Sequence, residues 1–543
     1  MISISQGDES SRTGAATGAV LPASSETLRG KLVHAPFPAF TGTLLLGAAR
    51  LQVRRWDHAL KRTREVQERA LLNIVGHAKS TEYGKRRDFS QIHSYRDFAA
   101  RVPIGDYDSF SPYIERMRGG ETNLLVPEFV RYFGNSSGSS TQGRSKFLPI
   151  TERQIASQRR SGTDGLSRAL VHLGESDFTK GFTLGLFPPT TMRAEGPVLI
   201  TSNPALMIAT LPKLAEPGYL PDEECRRIGD YEEKLTRIAA TCFDHDVRAL
   251  AGTTCWFSLM FEKLLQEANK RGRRARTVSE IWPNLRILLG GGVSAEPYRP
   301  LLRELLGRDD AVLVDTYNAT EGGIYAATDH RDLPGMLMMP HRETFFEFVA
   351  LEEHDKPSAR RVPLWEVELG RPYAIVVTTV SGLYAYKLGD IVRFPHPNRI
   401  EFVGRLSGCL SVTQELTTHI EIERAVSHAA SAVPCTTLDF GASAEVGPRS
   451  RYLLFVEFAP DKSPADLQAF ARAFDEGLCR ENRVYREHRT NDVALLPPRV
   501  VPLRHGGAKA YLDQVTSGNM QGKFPRIIDP TRRGPISAFV ESI

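Results

Sequence analysis

The chain has 543 residues, more than a single hydrophobic core supports at its usual ceiling of about 250–300, so two or more domains are expected. Hydrophobic residues make up 41% and charged residues 24%, a globular composition that excludes a disordered or fibrous chain. The net charge of +5 is small for this length and the basic run KRGRRAR at residues 270–276 is short, so no nucleic-acid partner is expected.

Six cysteines, Cys225, Cys242, Cys255, Cys409, Cys435 and Cys479, are scattered without a CxxC pair or a histidine at metal-ligand spacing. That pattern reads as reduced thiols and a cytoplasmic chain. No stretch reaches the ~18 consecutive apolar residues of a membrane span, and the N-terminus has no basic region followed by an apolar core, so neither a membrane partner nor a signal peptide is expected. A monomer is the expected state.

Residues 1–28 are rich in Ser, Gly, Thr and Ala and predict a disordered tail. Apolar residues at three- and four-residue steps, from Leu51 through Trp56 and Leu60 to Val75, predict helix over residues 44–79. An apolar strand at residues 129–133 leads into residues 136–146, SSGSSTQGRSK. Hydroxyls and glycine amides there can donate to phosphate oxygens, and Arg144 and Lys146 can neutralise them; an ordinary solvent loop is the alternative. Gly138 to Gly143 imitates Walker A spacing, but Arg144 replaces the phosphate-binding lysine. The following KFLPI contains Pro149 and reads as a strand where a Walker loop must open a helix.

RILL at residues 286–289 and AVLV at 311–314 predict strands. Between them lies a helix capped by Ser294 and carrying Leu301, Leu302, Leu305 and Leu306, a βαβ pattern. Gly290, Gly291 and Gly292 end the first strand and permit close backbone approach to a flat ligand. The second feeds TYNATEGG at residues 316–323, and strand ends of this kind bind ligands in α/β proteins. Glu321 is a candidate Mg²⁺ ligand, because magnesium takes oxygen ligands and few carboxylates beside phosphates; an exposed turn Glu is the alternative. AIVVTT at 374–379 and IVRF at 391–394 predict a hairpin whose turn holds LYAYKLGD at 383–390. Asp390 beside Gly389 could accept both hydroxyls of a ribose, or be a plain Gly-Asp turn.

After Arg405 the pattern becomes a small α+β domain. It has a helix over 418–433, strands at 436–440 and 452–458, an amphipathic helix over 464–488, a last strand and a glycine-rich tail. Lys523 in that tail, within GNMQGKFPR, could bring positive charge to a reacting phosphate. The domain boundaries expected are 29–404 and 405–543.

The order of these motifs (phosphate loop, GGG, TYNATEGG, YKLGD, FVGR and a late lysine) resembles the adenylate-forming superfamily. Within it, RVPIGDYDSFSPY at 101–113, IERMRGG at 114–120, WPNLRILLGGG at 282–292, LCRENRVYREHR at 478–489 and QGKFPR at 521–526 resemble the Gretchen Hagen acyl-acid amido synthetases of plants and their bacterial relatives. The likeness runs from about residue 60 to 530 and is identified with a bacterial-type member. The phosphate loop is one residue longer than the family's usual form, and TYNATEGG has Ala-Thr where many relatives carry Ala-Ser or Ser-Ser.

The resemblance implies an α/β fold with a large N-terminal and a small mobile C-terminal domain. It implies ATP and Mg²⁺ as cofactors, with a carboxylic acid and an amine, an amino acid by preference, as the partners joined through an acyl-AMP. By carry-over Ser136, Ser137, Gly138, Ser139 and Ser140 hold phosphates, and Glu321 holds Mg²⁺. Asp390 binds the ribose. Tyr317, with Gly290, Gly291 and Gly292, lines the adenine slot, and Thr320 in the same loop is a further ATP-binding residue. Arg405 is a ribose or hinge contact, and Lys523 stabilises charge at the α-phosphate. A thiol acceptor, as in acyl-CoA ligases, is the alternative, and a non-catalytic nucleotide-binding scaffold a remote one.

Overall fold

The computed structural model describes residues 32–136, 146–292, 295, 298–329, 333–354, 356, 359–410, 417–445, 450–482, 485–486, 489, 495–515, 524–528 and 534–540. The tail expected over residues 1–28 lies outside them, as do Ser137, Gly138, Ser139, Ser140, Ser294 and Lys523.

A twelve-stranded mixed sheet organises the larger part of the molecule. One half is parallel. Its strands, in spatial order from the edge, are Tyr219–Leu220, Phe182–Leu186, Val247–Gly252, Ile287–Gly291 and Val312–Ala319. The other half is antiparallel and continues through Gly323–Ala327, Met336–Met338, Arg399–Arg405, Tyr386–His396, Pro372–Thr379, Thr344–Ala350 and Arg361–Pro363. Val312–Ala319 is the strand where the two halves meet.

The parallel strands are apolar on both faces, as strands covered by helices must be. Helices Tyr231–Cys242, Cys255–Lys270 and Arg299–Leu306 build one core around Phe257, Leu264 and Trp282. In the last of these helices Leu302 and Leu306, one turn apart, are buried, whereas Leu301 is exposed. Helices Thr41–Lys61 and Glu152–Leu173 share the opposite core with Val312 and Val314. The single helix expected over 44–79 is two, Thr41–Lys61 and Thr63–Ala78, broken at Arg62, whose φ of −125° leaves the helical region.

A second sheet, ordered Lys146–Ile150, Tyr132–Ser136, Val198–Thr201 and Arg193–Glu195, stands beside the first. The carboxyl-terminal part is a three-stranded sheet, Thr437–Glu445, Arg451–Phe458 and Arg499–Leu503. Helices His419–Ala432 and Leu467–Glu481 cover one face around Phe470 and Phe474. The helix expected over 464–488 starts at Leu467, where Asp466 caps it by accepting from the amides of Gln468 (2.8 Å) and Ala469 (3.0 Å), and it ends at Glu481 because Asn482 turns extended, with φ −120° and ψ 111°. Among the described residues no helix is long and apolar enough to cross a membrane.

One buried ion cluster ties the elements behind the functional cleft. The Asp164 carboxylate, in helix Glu152–Leu173, accepts from Arg342 at 2.7 and 2.6 Å, from Gln52 at 2.5 Å and pairs with His341 at 3.0 Å. Gln52 belongs to the first helix and Arg342 to the segment before strand Thr344–Ala350, so three distant stretches converge on one charge. Replacing Asp164 with Asn keeps the shape but leaves the Arg342 guanidinium without its counter-charge. Asp164→Asn is expected to cost about 3–5 kcal/mol in urea unfolding.

Candidate active site

The carboxyl ends of the parallel strands open into a cleft of ≈ 2320 Å³. This is the place where α/β sheets ordinarily receive ligands. Its wall collects Gly290, Gly291, Gly292, Thr320, Glu321, Asp390 and Arg405, which the sequence scatters over more than a hundred positions.

Packing favours the small residue at Gly291. A Cβ there would stand 2.5 Å from Thr316 Oγ1 and 2.7 Å from Asn318 Nδ2, so those side chains would have to shift. The Thr316 hydroxyl donates to the Gly290 carbonyl at 2.7 Å. Gly292 then turns the chain with φ +78°, a conformation that favours glycine. The strand end is thus a bare backbone ledge flanked by Thr316 and Asn318.

Side chains alternate along a strand. Because Thr316 and Asn318 face the cleft, Tyr317 between them faces away. Its ring packs on Tyr325 (5.7 Å between centroids) and Phe402 (6.1 Å), and it is absent from the cleft wall. The ring expected at an adenine slot thus packs behind the strand, and Thr316 and Asn318 stand on the cleft wall beside it. The Tyr317 phenol donates to Asp390 Oδ2 at 2.8 Å.

Asp390 also departs from its expected setting. It lies inside strand Tyr386–His396, paired with Arg405, rather than in the hairpin turn. The turn spans 380–385, and register shifts between Ala374 and Val376 and between Ile391 and Val392 accommodate the glycine-bearing segment. The Asp390 side chain is 5% exposed, and its Oδ1 takes Arg405 Nε at 2.9 Å, from a side chain that is 53% exposed. Burial pushes the Asp390 carboxyl above the ordinary range, while Arg405 and Tyr317 pull it back.

Glu321 follows Thr320 at the turn out of Val312–Ala319. Burial, with a smaller contribution from the nearby Asp390 charge, pushes its carboxyl up to about 7, and Arg405 and Lys146 act in the opposite sense. Two carboxylates in one cleft, one of them hard to ionise, suit a divalent cation. Among the described residues no group of three or more His, Cys, Asp and Glu could hold a metal by itself. A cation here would therefore be held by Glu321 together with oxygens of a bound phosphate, which is how magnesium is ordinarily bound.

The loop SSGSSTQGRSK joins two antiparallel strands, with Ser136 opposite Lys146. KFLPI is a strand, not the helix a Walker loop would open. Ser136 closes the incoming strand and the rest of the loop lies outside the described residues, but its base does not. Asn135 and Lys146 line the cleft. A Cβ on Gly134 would meet Thr320 Cγ2 at 2.5 Å, so the loop's incoming strand rests directly on the TYNATEGG turn.

Sequence reasoning missed the groups that hold this turn. Gln154 donates to the Thr320 carbonyl at 2.8 Å, and Ser381 donates to Gln154 Oε1. Both sit where a polar residue on a helix or turn reads as solvent-facing. Lys387, which donates to the His354 carbonyl at 3.0 Å, also lines the cleft. Beyond the glycine ledge the wall becomes apolar, with Met192, Ile200, Met207, Ile208 and Leu211.

Models of three domains of one family match the chain in order: GH3 family N-terminal domain over residues 52–194, central domain over 336–405 and C-terminal domain over 420–532. A jasmonoyl–L-amino acid synthetase of Oryza sativa subsp. japonica is 29% identical over 550 residues, covering 86% of this chain and 92% of its own. An indole-3-acetic acid-amido synthetase of Arabidopsis thaliana is 22% identical, covering 88% and 91%. The solved acyl acid amido synthetase GH3.15 in complex with 2,4-DB superposes with a TM-score of 0.70 at 17% identity, covering 93% of this chain and 97% of that one, a likeness of fold.

The raised Glu321 carboxyl has a consequence for the protein without ligands. A folded-state value near 7 against an ordinary 4.5 means that ionising Glu321 works against folding. Its contribution is complete below pH 4.5 and is lost as pH rises towards 7. In buffer free of nucleotide and divalent cations, Glu321→Gln is expected to melt at the wild-type temperature at pH 4.5 and at a higher one at pH 8. Parallel melting curves across that range would show the side chain to be freely solvated.

Proposed function

The chain belongs to the GH3 family of acyl acid amido synthetases, and from that premise we propose how this cleft activates an acid as its adenylate and conjugates it to an amino acid. The observation that carries the proposal is the meeting of Glu321, Asp390, Arg405 and Lys146 at the base of the SSGSSTQGRSK loop. The acid's carboxylate attacks the α-phosphorus of ATP and pyrophosphate leaves. The amine then attacks the acyl carbon, AMP leaves and the amine loses a proton.

In this reading Ser136, Ser137, Gly138, Ser139 and Ser140 receive the phosphates, with Lys146 at the loop's base. Asp390 accepts from the ribose and Arg405 steadies it. The ledge of Gly290, Gly291 and Gly292 takes the face of the base, while Thr320 keeps Glu321 at the phosphates. Glu321 is the magnesium ligand, and the ion, when bound, neutralises charge that accumulates on the phosphates. The apolar wall from Met192 to Leu211 supports an acid with a hydrocarbon body. Lys523, carried by the smaller domain that we place from residue 405 onward, reaches the α-phosphate when that domain closes.

The free thiols of Cys225, Cys242, Cys409, Cys435 and Cys479 support a reducing, cytoplasmic setting.

Pyrophosphate release over a panel of acids, followed by product masses with amino acids or coenzyme A as acceptor, tests the activity. Amides and no thioester are expected. Asp390→Ala should weaken ATP binding by about 1.5–3 kcal/mol in calorimetry, the worth of hydrogen bonds to a charged acceptor, with the melting curve still cooperative; unaltered affinity would remove Asp390 from the nucleotide site. Lys523→Ala should slow acyl-AMP formation by roughly 10²–10³-fold, the usual loss for one charge-stabilising donor. Aminolysis of supplied acyl-AMP should change far less, and equal losses in the two assays would assign Lys523 to domain closure.

A further inference from the structure

We infer that the far end of the acid site, at Lys234 and Arg226, takes a hydrogen-bond acceptor, so that the acid activated here carries a hydroxyl or carbonyl oxygen remote from its reacting carboxylate. The inference rests on the reading of the apolar wall from Met192 to Leu211 as the acid site.

Behind that wall lies a smaller cavity of ≈ 10 Å³, room for about one water-sized group. Phe187, Pro188, Ile208 and Tyr219 line both this cavity and the cleft, so they form the partition between the two. The cavity's other lining is cationic, with Lys234 from the first turn of helix Tyr231–Cys242 and Arg226 from the short helix before it. Both are buried, Lys234 at 3% and Arg226 at 9% exposure. Lys234 donates to the Phe187 carbonyl at 2.9 Å and to the Arg226 carbonyl at 3.1 Å. Arg226 donates to the Tyr219 carbonyl at 3.3 Å. Among the described residues neither forms an ion pair with a carboxylate.

Two neighbouring buried cations without a counter-charge are costly. The cost is visible at Lys234, whose ammonium is brought down to about 8 by burial, with a smaller contribution from the Arg226 charge. Tying Phe187 to Arg226 needs two N–H donors and no second cation. An ammonium has three, and the third is left for what enters the cavity. A methyl group there would bury that donor unpaired. A single oxygen would satisfy it and offset the charge. The volume decides the class of oxygen, because a carboxylate brings two and the cavity holds about one. The hydrocarbon body would then lie along Met207 and Ile208, with its oxygen between Phe187 and Tyr219.

The test compares hexanoate, octanoate, decanoate and phenylpropanoate, each against its counterpart hydroxylated at the far end, by ATP-dependent pyrophosphate release. Wild type should favour the hydroxylated member of at least one pair roughly tenfold in kcat/KM, the worth of one hydrogen bond to a charged donor. Lys234→Met keeps the length of the stem and removes the ammonium, and should bring that ratio down by about the same factor. Arg226→Met leaves the two carbonyls bonded to Lys234 and should also lower the ratio. A thermal melt accompanies each variant, and if Lys234→Met does not fold, the wild-type ratio and Arg226→Met decide. Turnover of the plain acids with no preference for a hydroxylated one would overturn the inference alone. A wild-type ratio unchanged in folded variants, or equal losses on both members of each pair with a lower melting temperature, would overturn it in favour of a structural anchor. If wild type released pyrophosphate with none of the acids, the activity reading would fail and the inference with it.

Discussion

Two carboxylates are buried at one cleft, and the cost of ionising them there is the constraint around which the rest of the site is arranged. Glu321 and Asp390 come from opposite halves of the large sheet, one from the turn after the last parallel strand, the other from the antiparallel hairpin. Burial makes each of them harder to ionise, and the Asp390 charge adds to that effect at Glu321. The protein compensates Asp390 internally, with Arg405 and Tyr317. Glu321 has no such ion pair among the described residues and is left with the more distant fields of Arg405 and Lys146. The asymmetry gives the two carboxylates separate tasks. One is a fixed acceptor of hydrogen bonds. The other is a carboxyl held up to about 7, whose ionisation a cation in the cleft would favour.

The backbone serves the same arrangement. Gly134 and Gly291 each lie against a residue of the TYNATEGG segment, Thr320 in one case and Thr316 with Asn318 in the other. These close approaches bring the base of the SSGSSTQGRSK segment, the glycine ledge and the turn carrying Glu321 into one contiguous floor. A methyl group at either position would separate them. Gln154 then holds the turn from the helix side through the Thr320 carbonyl, so the turn is fixed by contacts on two sides and needs little stability of its own.

Much of this was legible in the sequence because it depends on composition along a short stretch. KFLPI is a strand because Phe147, Leu148 and Ile150 surround a proline that no helix there would admit. The βαβ unit follows from apolar runs separated by a leucine-rich helix. What stayed hidden depends on pairing between distant strands. Asp390 reads as a turn residue because Gly389 precedes it, and only the register with Arg405 shows that both lie on paired strands. Tyr317 reads as part of a glycine-rich loop because its neighbours are small and polar, so the strand alternation that turns it inward is masked. Gln154 and Ser381 carry no sequence signal, since a single polar side chain looks the same whether it faces water or a buried carbonyl. Identifying them would require knowing which helix covers the turn.

The position of Arg405 links the chemistry to the architecture. It ends the strand Arg399–Arg405, the last of the large sheet along the chain; among the described residues beyond it come a two-stranded pair, Cys409–Leu410 with Thr417–Thr418, and then the small three-stranded sheet with its helices. Its guanidinium grips a carboxylate on the neighbouring strand while most of its side chain remains in solvent. An ion pair with one buried and one exposed partner is weak enough to exchange. The buried partner, held also by Tyr317, keeps its geometry when the pair opens. Rotation of the smaller domain about this point would then change what Arg405 touches without disturbing Asp390. In the function proposed above, that separation would let Asp390 keep hold of the ribose while the groups around the acyl carbon are exchanged.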